Sequence, residues 1–175
     1  MKIVRVVLGV VVVWAAVAGI WWWIASTGAQ HERARRESCV SNLKQLALGA
    51  LGYAQDWDEH FPLTPPPGGD WVSRQGVGLR DRLLDPRSPN AGPLVLYVES
   101  TLIVWCPSDR MHVYPCGSYL WNNDLCGKSV AEGVGKPLVW DHEPWHSRGR
   151  NVAMTDGKVS WLRQQDFEER MPQSP

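Results

Sequence analysis

The sequence predicts helix first and antiparallel strand after it: a long N-terminal helix whose second half needs a cover, then short strands able to supply one. Val6–Ala25 (VVLGVVVVWAAVAGIWWWIA) is 20 residues without a charge. A helix of that length rises about 30 Å, the thickness of a bilayer's hydrocarbon core, and only a helix satisfies a lone segment's backbone there. Further on, Leu43, Leu46, Ala47, Ala50, Leu51, Ala54 and Trp57 recur at spacings of three and four and mark one apolar helix face. Near the other end, RNVAMT-DG-KVSWL places Asp156-Gly157 between two alternating stretches, a strong short hairpin signal.

Each segment follows in order. Trp21, Trp22 and Trp23 crowd one end of the apolar run, where indoles prefer the lipid–water interface. Arg33, Arg35 and Arg36, partly offset by Glu32 and Glu37, read as charges snorkelling beside a membrane helix. The run is longer than the usual apolar core of a signal peptide, which favours a retained anchor over residues 1–29. The alternative is a signal sequence cut after Thr27-Gly28-Ala29. Basic residues on both flanks leave orientation open. The amphipathic helix should end before Pro62, and the prolines of residues 61–70 read as a stiff loop. Leu79, Leu83 and Leu84 suggest a short helix, and Pro93–Val98 another helical turn. Thr101–Cys106 reads as a strand stopped by Pro107; Ser118–Trp121 and Pro137–Asp141 are shorter strand candidates. With Asp156-Gly157 as a two-residue type I′ turn, Met154 opposes Val159 and Val152 opposes Trp161. Those four side chains would share the face that covers the helix. Asn151, Thr155, Lys158 and Ser160 would share the other. Residues 163–175 are polar and read as a flexible tail.

Composition narrows the function. Eighteen basic and 18 acidic residues cancel, so no global field recruits nucleic acid. The four cysteines, Cys39, Cys106, Cys116 and Cys126, all follow the apolar run and lack the CxxC spacing of a zinc site. Disulfides in an oxidising compartment fit best, with free thiols and zinc as rivals and three connectivities open. The pairing expected is Cys116 with Cys126, which brackets a short segment, and Cys39 with Cys106, which ties helix to strand.

Three ordered blocks resemble a known family. RRESCVSNLKQLALGALGYAQDWDEHFP is similar to the start of bacterial type II secretion pseudopilins of the His-x(9)-Asp-Gly class. The match lies at Cys39, Asn42, Leu43, Lys44, Gln45, Phe61 and Pro62. The second block is Cys106-Pro107-Ser108-Asp109, and the third is His146 with nine residues before Asp156-Gly157. The resemblance implies an α+β, pilin-like fold, with a long N-terminal helix packed on a small antiparallel sheet. It also implies a single-pass protein of the bacterial inner membrane with a periplasmic domain over residues 30–162. Its partners would be membrane lipid and other pilin-like subunits, met side by side through their helices. One departure is plain: the family's leader ends in a Gly-Phe cleavage pair followed by an early glutamate. Here Gly9 precedes Val10 and the first acidic residue is Glu32. The N-terminal segment is therefore expected to stay attached as an anchor.

Two chemical readings compete with a structural role. His142-Glu143-Pro144-Trp145-His146 matches HExxH, a zinc-hydrolase motif that needs both histidines on one helix face. Pro144 between them opposes that helix. Asp109, Asp124, Asp141 and Asp156 are candidate calcium ligands, suggested by pseudopilins that bind calcium, though no EF-hand spacing is present. The expectation is a non-enzymatic subunit without a cofactor, in which His146 is a loop residue that anchors the hairpin by a hydrogen bond and Asp156 serves the turn.

Overall fold

The structure, a computed structural model, describes residues 2–63, 77–78, 94–109 and 117–171. The chain divides into two units, Met1–Ala34 and Arg35–Pro175, and the first helix, α1 (Lys2–Asp56), contributes to both. In the first unit Leu8, Val12, Trp14, Trp21, Trp22 and Trp23 are all exposed. An apolar surface of this kind is unfavourable in water and suited to lipid or to other helices. α1 is long and apolar enough to cross a membrane. Ser26 and Thr27 donate their hydroxyls back to the carbonyls of Trp23 and Ile24, at 2.8 and 2.9 Å, so their polar groups do not interrupt the helix.

The second unit is α+β. Its portion of α1 buries Cys39, Leu43, Leu46, Ala47, Ala50 and Ala54, the expected three-and-four stripe. Trp57 departs from it. The helix ends at Asp56, and Asp58 and Glu59 take φ of +49° and +59° to turn the chain away. Trp57 is left 59% exposed, stacked on Tyr53 with ring centroids 5.4 Å apart.

The stripe lies on a five-stranded antiparallel sheet in sequence order: β1 (Val77–Gly78), β2 (Tyr119–Trp121), β3 (Pro137–Asp141), β4 (Gly149–Met154) and β5 (Val159–Arg163). Alternation along the strands gives two faces. Tyr119, Trp121, Val139, Ala153 and Val159 pack with the helix stripe, Phe61 and Leu94. Leu120, Trp140, Val152, Met154 and Leu162 pack on the opposite side. A short helix, α2 (Val130–Gly133), is started by a capping box in which Ser129 and Glu132 satisfy each other's backbone N–H. It is tied to the end of α1 by Val130 N–H donating to the Glu59 carbonyl at 2.8 Å.

Three local expectations are corrected. The hairpin turn is where it was expected, but its register is one residue different. Ala153 opposes Val159, Val152 opposes Ser160 and Asn151 opposes Trp161. The loop holds three residues, Thr155-Asp156-Gly157, with Gly157 N–H donating to the Met154 carbonyl and only Gly157 at positive φ, +79°. A type I′ turn needs positive φ at two successive residues, whereas this loop needs it at one. Since the side-chain period is two, the slip sends Val152 and Met154 to one face and Val159 and Trp161 to the other. Thr101–Val104 forms a 3₁₀ turn rather than a strand, because the Ser100 hydroxyl caps the Leu102 N–H at 3.2 Å and starts a helical turn. The segment Val95–Tyr97 is likewise 3₁₀, the helical turn expected there. Finally, the tail does not fray at residue 163. Gln164–Arg170 forms helix α3, which buries Phe167 against Trp140 with centroids 6.2 Å apart. Burying one such ring contributes roughly 1.5–3 kcal/mol toward holding this otherwise polar helix on the sheet. Leu79, Leu83, Leu84 and Cys116 lie outside the described residues.

Gly157→Val should destabilise the domain by about 1–3 kcal/mol, since a β-branched residue resists φ of +79°. The space beside the turn is open, with Leu48 and Leu51 no nearer than 3.7 Å to an added Cβ, so the effect is backbone strain rather than a clash. Urea unfolding of wild type and variant measures it; equal midpoints would place the strain elsewhere.

Candidate functional site

Residues of all three sequence blocks, Cys39 and Asn42, Cys106 to Asp109, and His146, meet in one buried region under α1. Cys39, from the helix, is bonded to Cys106, with Cα atoms 5.3 Å apart. One turn on, Asn42 Nδ2 donates to the Trp105 carbonyl at 3.1 Å and to the Tyr119 hydroxyl at 3.3 Å. The Cys39-x-x-Asn42 spacing thus puts a covalent bond and a polar clamp on one helix face, both gripping the segment before Pro107. Leu43 is buried in the core beside them, whereas Lys44 is exposed and Gln45, half-buried, donates to the Ser41 hydroxyl. Cys106-Pro107-Ser108-Asp109 is a turn closed by Asp109 N–H donating to the Cys106 carbonyl at 2.9 Å. The buried Asp109 carboxylate accepts from the Ser118 hydroxyl at 2.8 Å and so fixes the entrance to β2.

His146 arrives from the loop between β3 and β4. Its Nε2 lies 3.2 Å from Cys106 Sγ and 4.0 Å from Asp141 Oδ2, and all three side chains are fully buried. The loop that delivers it is tight. Ser147 and Arg148 take φ of +53° and +62°, and His146 and Gly149 exchange backbone hydrogen bonds at 3.3 and 3.0 Å. Gly149 is required by crowding, because an added Cβ would sit 2.5 Å from the Leu162 carbonyl and the Trp161 ring. Trp161 in turn donates its indole N–H to the His146 carbonyl at 2.9 Å, while Arg36 of α1 lies 5.1 Å over its ring. His146 thus joins its loop to the Cys106 segment through its ring and to Trp161 of β5 through its carbonyl.

Three participants were not foreseen as such. Asn151 N–H and Nδ2 both donate to Asp141 Oδ2, at 2.6 and 2.9 Å. Arg150 donates to the carbonyls of Asp141 and His142 and to Gln164, and stacks 4.7 Å over Phe167, so it braces the loop against α3. Tyr119 turns its hydroxyl to Asn42. The only sequence trace of these roles is an Arg-Asn pair inside an otherwise apolar strand. Burial pushes the Asp141 carboxyl up to about 7, against the two Asn151 donors and the positive charges of Arg150 and Arg36. The Tyr119 hydroxyl is raised well above its ordinary value by burial first and by Asp141 second.

The competing chemical readings fare differently. Residues 142–146 follow β3 through a bend and reach His146 in an isolated bridge, so the HEPWH stretch has no helix to align its histidines. Burial lowers the His142 pKa, while the Glu143 carboxylate beside it works in the opposite direction. The four aspartates do not converge. Asp109 is held by Ser118, Asp141 by Asn151, and Asp156 by Lys158 at 2.9 Å on the exposed turn, while Asp124 is exposed in a separate 3₁₀ turn. Among the described residues, the metal-ligating side chains that do gather are Cys39, Cys106 and His146, whose ligand atoms lie within 4.8 Å of one another. A shallow groove of about 500 Å³ lies apart from this cluster, lined by Leu51, Ala54, Gln55, Glu59, Val130 and Ala131.

Residues 29–84, about a third of the chain, match the family model SBP_bac_10, described as a protein of unknown function (DUF1559). The match includes Cys39 and the whole buried stripe of α1. No curated protein and no solved structure matches the chain.

Asn42→Ala should weaken the domain by about 1–3 kcal/mol, because it removes the half-buried amide's hydrogen bonds to the Trp105 carbonyl and the Tyr119 hydroxyl. Thermal unfolding with the disulfide intact isolates this contribution; a variant as stable as wild type would show that the clamp is incidental.

Proposed function

We propose that this chain is a membrane-anchored structural subunit of a type II secretion or type IV pilus-like envelope assembly. Its N-terminal helix crosses a bacterial inner membrane once, and residues 35–175 lie on the periplasmic side. Lipid and the helices of other pilin-like subunits are its partners, and its work is architectural, with no catalysis and no cofactor in the oxidised state. One observation carries the reading. Among the residues that resemble the pseudopilin blocks, Cys39–Cys106 and Asn42 fasten α1 to the segment leading to β2, with His146 and Asp109 bracing that segment, while Leu8–Ile24 offer an uncovered apolar surface. A fastened helix with a bare apolar extension suits a subunit held by its neighbours. The disulfide supports the periplasmic side, since such bonds persist in oxidising compartments. The match of residues 29–84 supports a family relationship without adding a function.

Location and orientation are tested together in spheroplasts. An amine reagent that cannot cross membranes should label the exposed Lys128 and Lys158, and alkaline carbonate should leave the chain in the membrane pellet. Labelling only after lysis, or release by carbonate, would contradict the proposal.

A further inference from the structure

The fully buried contact between a disulfide and a histidine is more than the fastening of a helix requires. Cys39 Sγ, Cys106 Sγ and His146 Nε2 lie within 4.8 Å of one another. A fourth group stands beside them: Asp141 Oδ2 is 4.0 Å from His146 Nε2. Its other oxygen, Oδ1, is buried without a hydrogen-bond partner. Two sulfurs, one imidazole and one carboxylate make a donor set for a tetrahedral zinc ion. Zn–S bonds of about 2.3 Å and Zn–N bonds of about 2.0 Å place ligand atoms roughly 3.4–3.8 Å apart in a tetrahedron. The His146–Cys106 and His146–Asp141 separations, 3.2 and 4.0 Å, bracket that range. The sulfur pair must separate, which requires the S–S bond to be open, and Asp141, which stands outside the group gathered within 4.8 Å, must move toward the sulfurs.

We infer that the dithiol form of this chain is a zinc-binding form, with Cys39, Cys106, His146 and Asp141 as ligands, and that oxidation to the disulfide expels the metal. The chemistry balances. A dithiol reductant passes two electrons and two protons to the S–S bond, giving two thiols while it becomes a disulfide itself. Zn²⁺ then displaces the two thiol protons, and the carboxyl proton where Asp141 carries one, releasing them to solvent as it binds both thiolates and the carboxylate. In the oxidised state the sulfur carries no proton, so the hydrogen bond between His146 and Cys106 is donated by Nε2–H. In the zinc state Nε2 supplies its lone pair and the ring proton moves to Nδ1. The two states tie α1 to the same two loops, one by a covalent bond and the other by an ion. A chain that has not yet been oxidised thereby acquires a helix-to-sheet link.

Cobalt(II) is the probe, added to the full-length chain in detergent after phosphine reduction and, in parallel, to the oxidised chain. The reduced chain should bind one cobalt, with thiolate-to-metal charge-transfer absorption and the intense visible bands of tetrahedral cobalt. The oxidised chain should show neither. The bands should persist in the Cys116→Ser/Cys126→Ser double variant, and zinc should displace cobalt with loss of colour. His146→Ala should weaken binding at least tenfold, and Asp141→Asn should weaken it while keeping the charge-transfer band. The wild-type comparison needs no variant to fold. If the reduced chain is unfolded without metal, recovery of its structure on adding cobalt supports the site. A reduced chain that gives no thiolate–cobalt absorption overturns the proposal. So does absorption that disappears in the Cys116→Ser/Cys126→Ser variant or is untouched by His146→Ala. Unchanged affinity in Asp141→Asn removes Asp141 from the ligand set.

Discussion

Replacing Cys106 by serine should lower the stability of the domain by about 4 kcal/mol. The Cys39–Cys106 bond spans a sequence separation of 67, and the chain-entropy relation for a closed loop of that size gives this magnitude. The bond also joins the helix stripe directly to the segment leading to β2. Urea unfolding of the full-length chain in detergent, followed by tryptophan fluorescence, measures the difference. A loss below about 1 kcal/mol would mean that Asn42 and the apolar stripe alone hold α1 to the sheet.

Acidity should matter almost as much, and in an unusual direction. Asp141 keeps its proton in the folded chain until about pH 7, whereas the unfolded carboxyl releases it near 3.8. Between those values the folded state binds more protons, so stability falls as pH rises. The contribution is complete below about pH 4 and has been lost once pH passes 7. Each unit across that window is worth about 1.4 kcal/mol, which sets a ceiling of about 4 kcal/mol and an expected fall of roughly 2–4 kcal/mol. Burial raises the value and the Asn151 donors, Arg150 and Arg36 oppose it, with Tyr119 and His146 also close by. Asp141→Asn should flatten the profile between pH 4 and 7. A profile that rises with pH in wild type, or one that keeps its slope in the variant, would assign the effect to another group.

The parts of the fold that could be read from sequence are those governed by local periodicity. The α1 stripe from Leu43 to Ala54 follows the 3.6-residue period, and β3 coincides with the apolar run PLVWD. The fold class followed from the pseudopilin resemblance, and the pairing of Cys39 with Cys106 from what each cysteine could tie together. What escaped was decided by contacts distant in sequence or by the fine choice among turns. Asp-Gly is compatible with both a two-residue and a three-residue loop, and packing chose the second, sending Val152 toward Phe167. The strand-like TLIV became a 3₁₀ turn because a single serine hydroxyl capped it. Phe167 looked like one ring in a polar tail until Trp140 and Arg150 supplied its partners. The site was partly legible. Its cysteines and His146 stood in recognisable blocks, but nothing along the chain showed that His146 would reach Cys106, or that Asp141 would accept two hydrogen bonds from Asn151.

The central claim is that the exposed apolar helix surface of residues 7–24 meets other subunits as well as lipid. Photo-crosslinking in native membranes tests it most directly, with a photoreactive residue placed at Leu8, Val12 or Val17, all exposed on α1. Irradiation should give discrete protein adducts whose partners, identified by mass spectrometry, carry long apolar N-terminal helices of their own. Adducts to lipid alone at all three positions would contradict an assembly built through this helix.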